Sequence, residues 1–206
     1  MYTEEEEEWD SWKESETQIP CPAFISDKEE VEGAKRGTLV HKLYELLDFQ
    51  RVNTVKDLEH STLELISAGK ISEEILSCTN FYNLYQLFKT ELGKRMKMAD
   101  AKGKLFKETQ FMAGMPMSKI NQEIDLEEMV LVQGIIDLYF EEEDGLVLVD
   151  YKTDRVKGQT GEEKLIHLYQ EQLEYYKKAL EQLTKKKVKE CYIYSVTMDK
   201  EIKVNL

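Results

Sequence analysis

The chain has 206 residues, 41 acidic and 28 basic, giving a formal charge of −13 at pH 7, and 41% of its residues are hydrophobic. That length suits one ordinary domain with a real core, and no apolar run approaches the ~20 residues of a membrane helix. Three scattered cysteines (Cys21, Cys78, Cys191) exclude a disulfide framework and a zinc knuckle, and the acidic balance argues against a free-standing, tight nucleic-acid binder.

Residues 1 to 30 read as an acidic tail or interdomain linker. Glu4 to Glu8 form a self-repelling block, and Ile19-Pro20-Cys21-Pro22 breaks any helix. This start is the opposite of a signal peptide's basic-then-apolar layout, so a cytoplasmic, reduced protein is expected. The first helix is expected over about 37–50, where Leu39, Val40, Leu43, Leu46 and Leu47 form one stripe and His41 falls on the polar side. Further helices are expected over 54–68, 71–78 and 81–101. Lys104–Phe111 reads as a strand, with Gly114 and Pro116 marking a turn. Val130–Phe140 and Leu146–Thr153 are apolar on both faces, as central strands are, and Asp144-Gly145 signals a hairpin between them. A helix over 162–183 and a strand over Val188–Val196 complete a mixed α/β domain over residues 31–206.

Two features break the apolar pattern. Asp137 interrupts one hairpin strand, and Asp150 and Lys152 share a face of the other. A two-residue turn at Asp144-Gly145 sets Asp137 opposite Lys152, whereas a four-residue loop sets it opposite Asp150. Either even loop gathers two carboxylates and an ammonium. The bland explanation is a salt bridge at a sheet end. The functional one is a divalent-metal site, since magnesium takes one or two protein carboxylates and a lysine beside it steers a water. The second feature is Gln172, an amide inside the stripe Leu165, Ile166, Tyr169, Leu173, Tyr176, Leu180 and Leu183; it either bonds the sheet or faces a site.

These residues carry a resemblance. Gly134-Ile135-Ile136-Asp137, Val149-Asp150-Tyr151-Lys152-Thr153-Asp154 and Gln172-Leu173-Glu174-Tyr175-Tyr176 resemble the three motifs of RecB-type nucleases of the PD-(D/E)xK, restriction-endonuclease-like superfamily. Arg36-Gly37-Thr38-Leu39-Val40-His41 resembles the upstream histidine motif of that group, and Lys107-Glu108-Thr109-Gln110-Phe111 its glutamate-bearing strand. Order and spacing are most similar to the C-terminal nuclease domain of the AddA component of AddAB-type helicase–nucleases.

The resemblance implies a mixed sheet flanked by helices, with an N-terminal helical portion. It implies Asp137 and Asp150 as ligands of Mg2+ (or Mn2+), with His41 and the Tyr151 carbonyl as further ligands. Lys152 would position the attacking water, while Gln172, Tyr176 and Glu108 would support the site or the DNA strand. It also implies single-stranded DNA as substrate, a helicase domain upstream, partnership with a second helicase–nuclease subunit, and a role in break repair and recombination. Related iron–sulfur members need four cysteines, so no cluster is expected. The chain has no Gly-x4-Gly-Lys-Ser/Thr loop, so no ATP site of that type is expected, and it reads as an excised domain. Two alternatives stay open: a non-catalytic DNA clamp or scaffold of the same fold, and a stand-alone defence nuclease that would cut duplex DNA robustly.

Overall fold

In a computed structural model of the chain, the described residues are 28–116 and 129–206, and they lie mainly in a compact unit, Gly33–Leu206. The expected acidic tail over 1–30 lies almost wholly outside the described residues. Helix α1 spans Lys28–Leu46, longer at its start and shorter at its end than the stripe suggests. Asp48 then caps a 3-10 turn over Phe49–Arg51. Helix α2, Val55–Ser67, opens on a capping box: the Thr54 hydroxyl accepts from the Asp57 amide, and the Asp57 carboxylate accepts from the Thr54 amide. Such a cap is worth about 1 kcal/mol.

The expected helix over 71–78 is only a short α3, Ile75–Cys78. The expected helix over 81–101 is broken into α4 (Phe81–Gln86), a 3-10 turn (Leu87–Lys89) and α5 (Glu91–Ala101). Thr90 causes the break: its backbone is extended and its hydroxyl accepts from the Gly93 amide at 3.0 Å, starting a new helix. Gly93 permits the turn, because a Cβ there would lie 1.9 Å from the Leu87 carbonyl oxygen.

Among the described residues, five strands follow in the order β1 (Leu105–Pro116), β2 (Met129–Glu142), β3 (Gly145–Lys152), β4 (Val188–Ser195) and β5 (Lys200–Val204). They form one sheet in that order, antiparallel except for β3 and β4, which run parallel and are linked by α6, Gly158–Thr184. Gly114 and Pro116 lie within β1, paired with Leu131 and Met129, not in a turn. An edge strand tolerates Pro because its free side asks for no amide donor. Strand β5 is additional to the strands expected, although Ile202 and Val204 alternate with polar residues and are buried. The hairpin turn is Glu143-Asp144, with Glu142 paired to Gly145 and Leu138 to Val149.

The sheet separates two cores. Helices α1 to α5 cover one face, burying Leu43, Tyr44, Leu58, Leu84, Leu92 and Met96 against Leu138, Phe140, Val147, Val149 and Tyr151. On the other face, α6 buries Leu165, Leu173 and Leu180 against Phe111, Ile136, Leu146, Leu148 and Ile193. Leu183, expected in the buried stripe, is half exposed.

Alternation inverts part-way along β1 and β2. Leu105 packs toward the helical layer but Phe111, of the same parity, packs toward α6; likewise Leu138 packs toward the helices and Ile136 toward α6. The inversion falls at Glu108 and Asp137, the one position where the β1–β2 ladder skips a pair, and Glu108 takes a left-handed φ of 46°. Beyond it, Leu131 and Ile135 are exposed, so β2 is covered on both sides only over its second half.

Candidate active site

The sheet opens at this inversion. The β2–β3 ladder ends at Leu138↔Val149, so Asp137 sits level with Asp150 but the strands no longer bond there. The Asp137 carboxylate takes over part of the lost pairing: its Oδ2 accepts from the Tyr151 amide at 2.8 Å. That places Asp137 between the two faces of the sheet and not squarely on the face of Asp150 and Lys152.

From the helical face, α1 brings in His41. Its Nδ1 lies 3.2 Å from Asp137 Oδ1, and its ring meets the Tyr151 ring edge-on at 6.0 Å. Helical periodicity alone places His41 on the solvated side; it is instead turned toward the sheet, with 29% of its side chain exposed. Burial disfavours the imidazolium, but the hydrogen bond and charge of Asp137 outweigh burial and raise its pKa above the ordinary value. Glu108 is half-buried and its carboxyl is raised by burial and by Asp137. One ligand atom each from His41, Glu108 and Asp137 lie within 4.8 Å of one another, a spacing that suits a shared cation.

Asp150 is 2% exposed, and burial pushes its carboxyl up to about 6 against the pull of Lys152. Lys152 Nζ lies 2.7 Å from Asp150 Oδ2, a buried ion pair.

From the other face, α6 supplies a polar ladder. Lys152 Nζ donates to Gln172 Oε1 at 3.0 Å, and Gln172 Nε2 donates to the Tyr176 hydroxyl at 2.9 Å. Tyr176 packs edge-on against Phe111 at 5.6 Å. Gln172 therefore bonds the sheet's lysine. Tyr169, read from the sequence only as part of the core stripe, also reaches the site: Lys152 Nζ stands 4.0 Å from its ring centroid, and its hydroxyl donates to Asp154 Oδ1 at 3.0 Å. The available signal was its offset, three residues before Gln172 and seven before Tyr176, on one side of a helix. The Arg36 motif acts at the edge of the site, where the guanidinium donates to the Thr153 carbonyl and Gly37 lets Thr153 approach.

Two linked groups result: His41, Glu108 and Asp137, with Asp137 bonded to the Tyr151 amide, and Asp150, Lys152, Gln172 and Tyr176; Asp150, an expected metal ligand, is not in the trio whose ligand atoms lie within 4.8 Å of one another. An imidazole and two carboxylates, from His41, Glu108 and Asp137, have the donor chemistry and spacing that fit a hard divalent cation.

Comparison with known proteins agrees with this geometry. Residues 15–204 match the family model described as the PD-(D/E)XK nuclease superfamily. The chain is 40% identical to the A-type subunit of the ATP-dependent helicase/nuclease of Lachnoclostridium phytofermentans, over 89% of its own length and 16% of that protein. The same-named proteins of Clostridium perfringens and Clostridium botulinum are 37% and 35% identical over the same share of the chain, covering 15% and 14% of those proteins. The chain thus spans about one-sixth of the length of the relatives it matches. A sheet that opens between two acidic residues, a lysine two positions on, and a match over nearly the whole chain make it a member of the PD-(D/E)XK nuclease superfamily.

Proposed function

We propose that this chain is the nuclease domain of a helicase–nuclease, a divalent-metal-dependent enzyme that hydrolyses phosphodiester bonds of single-stranded DNA. Its natural setting would be double-strand-break repair and recombination in the cytoplasm, with the motor upstream in the same polypeptide and a second subunit completing the complex. No described helix is long and apolar enough to cross a membrane. The observation that carries the reading is the trio His41, Glu108 and Asp137, whose ligand atoms lie within 4.8 Å of one another where the β2–β3 ladder ends beside the buried Asp150–Lys152 pair.

Asp137 and Asp150, with the Tyr151 carbonyl, His41 and Glu108, would hold Mg2+, with Mn2+ as a substitute. The ion would supply electrophilic polarisation of the phosphate and a more acidic water. The protein's own groups do the rest. Lys152 offers a fixed ammonium that orients the attacking water and offsets the charge growing on the phosphate oxygens as the 3′ oxygen leaves. Gln172 holds that ammonium, and Tyr176 holds Gln172. The charge of −13 fits delivery of the strand by a motor, because tethering raises local concentration and tight binding by the domain itself is not needed.

The test is cleavage of end-labelled single-stranded and duplex DNA with Mg2+, Mn2+ or EDTA. Metal-dependent cutting that favours the single strand supports the reading. Strong duplex cutting would favour a stand-alone defence nuclease, and DNA binding without cutting in any metal would favour a clamp.

A further inference from the structure

The ammonium of Lys152 is held from three directions, and only two are explained by the roles above. Asp150 lies 2.7 Å away and Gln172 accepts at 3.0 Å. The third is the face of the Tyr169 ring, 4.0 Å from Nζ to the centroid, within the range of a cation–π contact. The ring is itself fixed, since its hydroxyl donates to both Asp154 oxygens, at 3.0 and 3.2 Å. Asp154 stands two residues beyond Lys152, so the lysine and the anchor of its ring come from one short stretch of chain.

We infer that Tyr169 is a positioning residue for Lys152, an aromatic shelf that holds the ammonium without neutralising it; the inference rests on the nuclease reading above. The chemical logic lies in the kind of partner. A second carboxylate at this place, added to Asp150, would pin the lysine but cancel its remaining charge and repel a phosphate. An aromatic face attracts the ammonium through its quadrupole and carries no net charge. Asp150 cannot serve as the sole anchor, because an ion bound to it would compete for the same oxygen. Tyr169 and Gln172, both on α6 and three residues apart, would then keep Lys152 aimed. A purely packing role does not account for the ring's being tied to Asp154 while its face covers a cation.

The experiment replaces Tyr169 in the whole 206-residue chain by Phe and by progressively fluorinated phenylalanines, which weaken the quadrupole at nearly constant shape. Single-turnover cleavage of single-stranded DNA at saturating Mg2+ is read alongside Tm, and Lys152 εCH2 resonances are read by NMR in Tyr169→Phe and Tyr169→Leu. Tyr169→Phe keeps the ring face but loses the tie to Asp154, so it should be slower than wild type by up to about threefold, and the rate should then fall further with fluorination, by about tenfold in all. The half-saturating DNA concentration and Tm should hold steady. The Lys152 protons should be ring-shifted upfield in wild type and Tyr169→Phe and return to ordinary values in Tyr169→Leu. An active wild type with a flat fluorination series, or unshifted Lys152 protons, overturns the positioning role alone. A wild type that cuts DNA in no metal overturns the nuclease reading, and the catalytic purpose of the shelf with it.

Discussion

Glu108 shows how much a single residue decides. Its φ of 46° is strained for a side chain with a Cβ, and strain of this kind persists where the surroundings over-determine it. Here it inverts the facing of β1 and brings a third acidic group to within reach of Asp137 and His41. Glu108→Gly should therefore raise stability by about 1 kcal/mol while weakening metal binding, read as a higher Tm and a higher Mn2+ requirement for cleavage. A variant that loses stability would contradict the strain account. Asp137→Ala and Lys152→Ala should each lower the cleavage rate at least ~100-fold with the fold intact by circular dichroism. The identities of these residues were legible in the sequence, because a charged group inside an apolar strand is conspicuous. The left-handed Glu108 was not legible, since glutamate has no local preference for that conformation and only the two cores on either side impose it.

At the scale of elements, Gly134 and the far end of the hairpin make separate predictions. A Cβ at Gly134 would lie 2.7 Å from Phe111 Cε1 and 3.6 Å from Tyr176 Cε1. Gly134→Ala should push the Phe111 ring toward Tyr176, lowering stability by about 1–2 kcal/mol and the cleavage rate with it. At the other end, Arg95 on α5 bonds both oxygens of Glu142 on β2, at 2.9 and 2.8 Å, and reaches Glu190 on β4 at 2.5 Å. The Arg95 hydrogen bonds, opposed by burial and aided by Lys189, hold the Glu142 carboxyl down at about 2. A depressed carboxyl stabilises the fold above its unfolded pKa, near 4.5, and loses that contribution as pH falls through about 2. The Tm difference between wild type and Glu142→Gln should be greatest at neutral pH, about 1–2 kcal/mol of stability, and vanish near pH 2. A pH-independent difference would contradict it. Long apolar periodicity disclosed α2, α6, β3 and β4 in the sequence. The division of 81–101 was hidden because Leu84, Leu87, Phe88 and Leu92 keep helical spacing across a break set by the Thr90 cap and the close approach at Gly93.

Across the whole molecule, the sheet works as a partition, and its opening is the proposed site. His41 arrives from one layer and Lys152 is held from the other, so neither layer alone assembles the chemistry. This explains why the sequence points to the candidate residues but not to their arrangement. Strand period two sets Asp150 and Lys152 on one face, but it carries no sign that the β2–β3 ladder stops at Leu138 or that Asp137 turns into the plane to meet the Tyr151 amide. Periodicity alone puts His41 on the polar side for the same reason, since it sees only one helix, and the Asp137 that pairs with the imidazole lies on a strand nearly a hundred residues later. The central claim is that this opening is where DNA is cut, and Asp150→Asn tests it most directly because it removes the charge and keeps the shape. Cleavage of labelled single-stranded DNA in Mg2+ is measured beside wild type, with Tm confirming the fold. The account predicts metal-dependent cutting by wild type and at least a ~100-fold loss in a folded Asp150→Asn; cutting by the variant at the wild-type rate would contradict it.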